Sequence, residues 1–193
     1  GTYGAETRRA VRAFQRELGY DETASLTPRQ TAQLMCHAAQ TARDPGVQNV
    51  LGIMHAVGLG VVQNTDLALE WLEMAAVRGD ADANFNLAVI YGTGAVFGSY
   101  RLCAIVENPE RADAYLRDAA ELGHGLARRF RSTPELSSAP NAHVRWARIR
   151  EEIEEEAMSE PGRGARAMEI LRNAMRARVP PADAGCLDAN ASR

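Results

Sequence analysis

A chain of 193 residues is long enough to bury a real core, as one domain or two small ones. With 46% hydrophobic and 24% charged residues, a net charge of -3 and no run of about eighteen apolar residues, it holds no spanning helix and lacks the basic balance of an ordinary nucleic-acid binder. All 22 basic residues are Arg, which excludes Schiff-base chemistry, a P-loop lysine and a lysine general base.

In chain order, Ala10, Val11, Phe14 and Leu18 fall on one helical stripe and predict an amphipathic helix over residues 6–18, stopped by Gly19. Thr27 followed by Pro28 has the form of an N-cap with Pro at the first helical position, so a second helix runs through Met35 towards Ala42. The next segment repeats itself. LGIMHAVGLG at 51–60 returns at 87–94 as LAVIYGTG, and WLEMAAVRG at 71–79 returns at 115–123 as YLRDAAELG. The offset grows from 36 to 44, which places eight extra residues between Gly94 and Ala112. Each copy predicts a helix, a Gly-rich turn and a second helix ending in Gly. Ala75, Ala76, Ala119 and Ala120 let helices approach closely, and Gly79 and Gly123 stand where a helix ends with φ > 0. A hairpin of this kind buries its apolar face only against stacked neighbours, so the expected fold is all-α, a short α-solenoid.

After a polar, Pro-containing break at 131–142 come two more helical stretches. Trp146, Ile149, Ile153 and Ala157 share a face in the first, with Arg148 and Glu152, and Arg150 and Glu154, spaced for pairing on the exposed side. Ala165, Met168, Leu171 and Met175 share a face in the second, and from Pro180 the composition is that of a disordered tail. The chain opens on Gly1 without a charged and apolar leader, which reads as a fragment whose targeting information lies upstream.

No constellation for chemistry emerges. Cys36 and His37 are adjacent and point about 100° apart on a helix, and no Cys-x-x-Cys or His-Glu-x-x-His spacing exists, so neither a metal site, a catalytic residue nor a cofactor is expected. The cysteines read as buried or disulfide-bonded. Cys103 lies in the repeat insertion, which would gain from a covalent tie, and Cys36 is the nearest candidate; a Cys36 to Cys103 disulfide is expected, with Cys186 free or joining chains. The four His read as surface or helix-end residues, the carboxylates of 151–156 as a solvated face, and Asp80 and Asp82 as first-turn acids. Gly58-x-Gly60 and Gly92-x-Gly94 follow no strand and read as turns. Arg8, Arg12 and Arg16, each four apart, form a basic strip that could meet carboxylates, although a solvated face explains it as well.

Two resemblances rest on these residues. Gly1, Tyr3, Gly4, Thr7, Ala10, Val11, Phe14, Gln15 and Gly19 match in order the later part of the small helical peptidoglycan-binding domain, whose first helix is absent here. Leu51, Gly52, Gly58, Gly60, Val61, Ala68, Trp71, Ala75, Ala76, Gly79 and Asp80 resemble the Sel-one-like repeats, relatives of the tetratricopeptide repeats. His55 stands where that pattern has Tyr, while the second copy keeps Tyr91. The resemblances imply a division into a partial peptidoglycan-binding-like domain at 1–35, a repeat solenoid at 36–130, a helical extension at 131–179 and a tail at 180–193. They imply a non-enzymatic scaffold or adaptor in the periplasm or cell envelope of a bacterium, binding a protein partner, and binding peptidoglycan when the N-terminal domain is complete. Tyr3, Arg8, Arg12 and Arg16 are then the candidate peptidoglycan contacts. Without its first helix the module predicts weak peptidoglycan binding or none. The rival expectation is the accessory region of a larger enzyme, a wall hydrolase or caspase-like protease.

Overall fold

The computed structural model describes residues 4–96, 100–102 and 105–159. Its elements are α1 (Ala5–Glu17), α2 (Pro28–Thr41), α3 (Pro45–Val57), α4 (Thr65–Val77), α5 (Ala81–Thr93), β1 (Ala95–Val96), β2 (Tyr100–Arg101), α6 (Pro109–Glu121), α7 (Gly125–Ser132), α8 (Pro134–Ser137) and α9 (Ala142–Ser159). The fold is the all-α solenoid that the repeats predict. Tyr3, Cys103, Cys186 and the second C-terminal stretch lie outside the described residues.

Local signals set the helix starts. Thr27 accepts from the Gln30 backbone while the Gln30 side chain accepts from the Thr27 N–H, a full capping box with Pro28 behind it. Asp44 and Asp80 cap α3 and α5, and Asn64 and Asn108 cap α4 and α6. Gly79 at φ 84° and Gly123 at φ 102° supply the left-handed turns after α4 and α6.

One device recurs where the helices stack. Four residues after each cap, a side chain donates to a carbonyl near the end of the preceding helix: Gln48 to Ala39 O at 3.4 Å, Asn84 to Ala76 O at 3.4 Å and Arg128 to Ala120 O at 3.1 Å. By this register α2 stands to α3 as α4 stands to α5 and α6 to α7. It runs without a break through residues 35 and 36.

Within a hairpin the helices touch through small residues. A Cβ on Gly52 would lie 2.7 Å from Leu72 Cγ and 3.0 Å from the Ala68 carbonyl, so α3 and α4 meet there with no room for a side chain. The main core runs from Ala56 and Leu72 through Leu87, Ile90 and Leu116 to Phe130, Trp146 and Ile149.

The insertion is more ordered than an irregular excursion. Ala95 and Val96 pair antiparallel with Arg101 and Tyr100, and Val96 and Leu102 are buried in the core beside α5. The 131–142 break also differs from expectation: α7 continues to Ser132 and α8 adds a turn, with Leu136 buried. In α9, Trp146 and Ile149 pack inward as their spacing predicts, but the arginines do not make the predicted pairs with Glu152 and Glu154. Arg148 donates to the Glu135 carbonyl at 2.6 Å, and Arg150 to the Thr93 carbonyl at 3.1 Å and to Glu107 at 3.0 Å. The helix lies close enough to α5 and α8 for its arginines to reach orphan carbonyls, which are better fixed partners than a neighbouring exposed carboxylate.

Candidate interaction surface

The basic strip is present on α1, where Arg8, Arg12 and Arg16 are all exposed. Arg16 is engaged: its guanidinium forks onto Glu22 at 2.7 and 2.6 Å, an exposed pair in which Glu22 is held below its usual carboxyl range by that bond. The opposite face of α1 is fastened through Gln15, which is fully buried. Its amide donates to Thr23 Oγ1 at 3.0 Å, to the Ser25 carbonyl at 2.9 Å and to Gln30 Oε1 at 3.3 Å, and its carbonyl accepts from Ala24 N at 3.1 Å. Val11 is buried beside it, Phe14 half-buried, and Leu18 left 48% exposed.

Cys36 is buried on α2 in a cluster with Ala39, Leu51 and Trp71, and it is one half of a disulfide. Its partner lies outside the described residues.

Sequence reasoning missed the polar joint between α4, α5 and α6. Tyr91 Oη donates to Glu73 Oε1 at 3.1 Å, Arg111 donates to the same oxygen at 2.6 Å and lies over the Tyr91 ring at 4.2 Å, and Tyr91 stacks on Tyr115 at 5.9 Å. Burial, followed by the Glu73 charge, pushes the Tyr91 hydroxyl up to about 12. The repeat register puts His55 in the place of Tyr91 and Cys36 in that of Glu73, so the first joint has no such network. The departure of His55 from the family pattern was the available signal.

His55 lies in the last turn of α3, the helix-end position expected for it, yet it is 1% exposed and not at the surface, and neither ring nitrogen has a hydrogen-bond partner. Burial holds its pKa below the usual imidazole value. The unfolded chain therefore takes up a proton first as pH falls below about 6.5, and stability that is present above that pH is lost below it. Urea melts between pH 7.5 and 5.5 should show stability falling with pH by up to about 1.4 kcal/mol per unit. His55→Leu should reduce that slope, leaving the part that His124, whose pKa burial also lowers, contributes. An unchanged slope in the variant would move the cause to another group.

The C-terminal halves of α3 and α5 are buried on nearly every side, so the open surface lies on the outer layer. On α4, Asp66, Glu70, Glu73, Met74 and Val77 border a groove of about 740 Å³. The register sets Leu69, Met74 and Val77 opposite Asp113, Asp118 and Glu121 of α6, so α4 is apolar where its counterpart carries carboxylates. A smaller cleft of about 250 Å³ beside Arg117, Arg131 and Arg145 is no ready anion site, because Arg145 is taken by Asp113 and the Leu136 carbonyl, and Arg131 faces Glu121. Among the described residues no group of three or more His, Cys, Asp or Glu could hold a metal, and no helix is long and apolar enough to cross a membrane.

Residues 46–80 and 81–124 each match the Sel1 repeat. A search of curated proteins returned no match. Among solved structures, the Sel1 repeat protein from Oxalobacter formigenes is 19% identical, with a TM-score of 0.50 over 89% of this chain and 72% of that one. The protein c5321, described as a protective antigen present in uropathogenic Escherichia coli strains displaying an SLR fold, is 22% identical, with a TM-score of 0.46 over 76% of this chain and 30% of its own. At 19% identity the likeness to the Oxalobacter formigenes protein is one of fold. The repeated caps, the close helix approach at Gly52 and the two matched segments agree in placing two tandem segments similar to the Sel1 repeat at residues 46–80 and 81–124.

Proposed function

We propose that this protein is a non-enzymatic scaffold or adaptor of the bacterial cell envelope, holding a protein partner on its repeat solenoid. The carrying observation is the pair of stacked Sel1 repeats, since repeats of this family are generally modules of protein–protein interaction. The disulfide at Cys36 supports an oxidising compartment, because such bonds persist in the periplasm and are rare in a reducing cytosol. We assign Cys103 as its partner, tying the repeat insertion to α2, and Arg8, Arg12 and Arg16, with Tyr3, to wall contact.

Exported expression followed by non-reducing peptide mass spectrometry tests the compartment and the pairing together. A Cys36 to Cys103 cross-linked peptide is expected, with Cys36→Ser costing about 2–4 kcal/mol in urea melts. A link to Cys186 would overturn the pairing, and free thiols throughout would overturn the oxidising compartment. Sedimentation with purified sacculi tests the wall contact. Weak, salt-sensitive sedimentation that falls in Arg8→Ala/Arg12→Ala is expected, whereas micromolar sedimentation indifferent to those changes would place the contact elsewhere. Turnover of muropeptides by the purified protein would refute the non-enzymatic reading.

A further inference from the structure

The start of α7 is held by a side chain unlike those that hold the two corresponding helices before it. Asp44 accepts from Val47 N at 2.9 Å and Asp80 from Ala83 N at 2.7 Å; in the same register His124 Nδ1 accepts from Ala127 N at 3.2 Å. A carboxylate accepts throughout the neutral and mildly acidic range, whereas an imidazole nitrogen accepts only while it carries no proton. The bond to Ala127 therefore requires the neutral ring with its proton on Nε2.

The surroundings of the ring are few and defined. From α5, Phe85 stacks on it at 4.0 Å with an interplanar angle of 18°, and the Asp82 carboxylate lies 3.6 Å from Nε2. From α6, the Ala119 carbonyl accepts the His124 backbone N–H at 2.9 Å. On α7 itself, Arg128 turns back to the Ala120 carbonyl at 3.1 Å. The His124 side chain is 16% exposed and that of Asp82 73%.

We propose that His124 is a pH-sensitive latch on the third stacked helix: when the ring takes a proton in mildly acidic medium, the cap on Ala127 is lost and α7 loosens from α5 while the two Sel1 repeats stay folded. Three effects favour release. Nδ1–H replaces the lone pair that Ala127 N–H needs, the new cation sits at the positive end of a helix, and the ring, 16% exposed, is largely shielded from water, an effect that the attraction of the Phe85 face for a cation only partly offsets. Asp82 opposes them, but its exposure leaves that attraction screened by solvent.

Burial outweighs Asp82, so the His124 pKa lies below the usual imidazole value. The sign follows from linkage. The open form, with an ordinary pKa near 6.5, takes up the proton first as pH falls, so closure is fully favoured above about 6.5 and weakens below it. At eight residues α7 is too short to hold its shape without a cap and the packing of Phe130, which is 1% exposed. Opening would bare Phe130 and the covered face of Phe85 together.

Amide hydrogen exchange on the full chain from pH 7.5 to 5.0, corrected for intrinsic rates, tests the latch. Amides of 125–132 should lose about tenfold in protection relative to those of α5, the scale of a lost N-cap. His124→Asp, which installs the residue used at 44 and 80, should hold that protection flat across the range. Protection of α7 that ignores pH in the wild type, or an H124D variant as pH-sensitive as the wild type, would overturn the proposal. So would loss of protection in α3, α5 and α7 at one common pH, which would assign the change to global unfolding through His55.

Discussion

Trp146→Ala is expected to destabilise the chain by about 3–5 kcal/mol, the cost of emptying a fully buried aromatic site. The indole lies on α5 at Gly92, where a Cβ would fall 2.0 Å from its Cε3 atom, and its Nε1 donates to Asp113 Oδ1 at 2.9 Å. Removing it opens a cavity between α5, α6 and α9 and takes away one partner of Asp113, whose other partner is Arg145. Trp146→Phe should cost much less, since most of the packing remains and only the hydrogen bond is lost, about 1 kcal/mol with a smaller packing loss. The informative experiment is the double-mutant cycle by urea denaturation. Gly92→Ala should cost about 1–3 kcal/mol in the wild type by overpacking, and much less once Trp146 is Ala, because the new methyl then enters the vacated space. Additive costs would show that α9 is not seated on Gly92.

The opposite end of the solenoid is held by Gly60. A Cβ there would stand 2.1 Å from the Pro28 carbonyl oxygen, and its φ is +74°. Gly60→Ala therefore combines left-handed strain of roughly 1–2 kcal/mol with a clash against backbone that no rotamer relieves, for a total of about 2–4 kcal/mol. Gly58 provides the internal control. It has nearly the same φ, +72°, but its nearest neighbour is Gln63 Cβ at 3.3 Å, so Gly58→Ala should show the left-handed term with little added clash. The excess of the first variant over the second measures how firmly the start of α2 is docked on the turn between α3 and α4. Equal losses in the two melts would mean that α2 is free to move away.

These two glycines look alike in the sequence. Gly58-x-Gly60 and Gly92-x-Gly94 are both explained as repeat turns, and that explanation is right for Gly58 and Gly94, whose positive φ ends a helix. Gly60 carries a second requirement, the approach of Pro28, whereas Gly92 is not in the turn at all but inside α5, where Trp146 packs on it, and nothing within several residues of either one announces this. His55 shows the same limit. Its departure from Tyr is visible against Tyr91, but its burial without a hydrogen bond is not.

What could be determined from sequence alone is whatever is settled within a turn or two of chain. The N-cap at Thr27, the left-handed ends at Gly79 and Gly123, the apolar stripe of α9 and the two repeats are all of this kind, because a helix start, a helix stop and an amphipathic period depend on residues that are neighbours along the chain. The basic strip of α1 was legible for the same reason, whereas the fork from Arg16 to Glu22 depends on how the loop after Gly19 folds back. Tertiary structure alone decided that Arg150 leaves Glu154 for Thr93 and Glu107, that Asp113 receives both Arg145 and Trp146, and that Gln15 gathers the loop before α2. These partners stand as far as 57 residues apart, and a residue type states what it can bond to but not which of many equivalent groups the packing of other helices will bring within 3 Å.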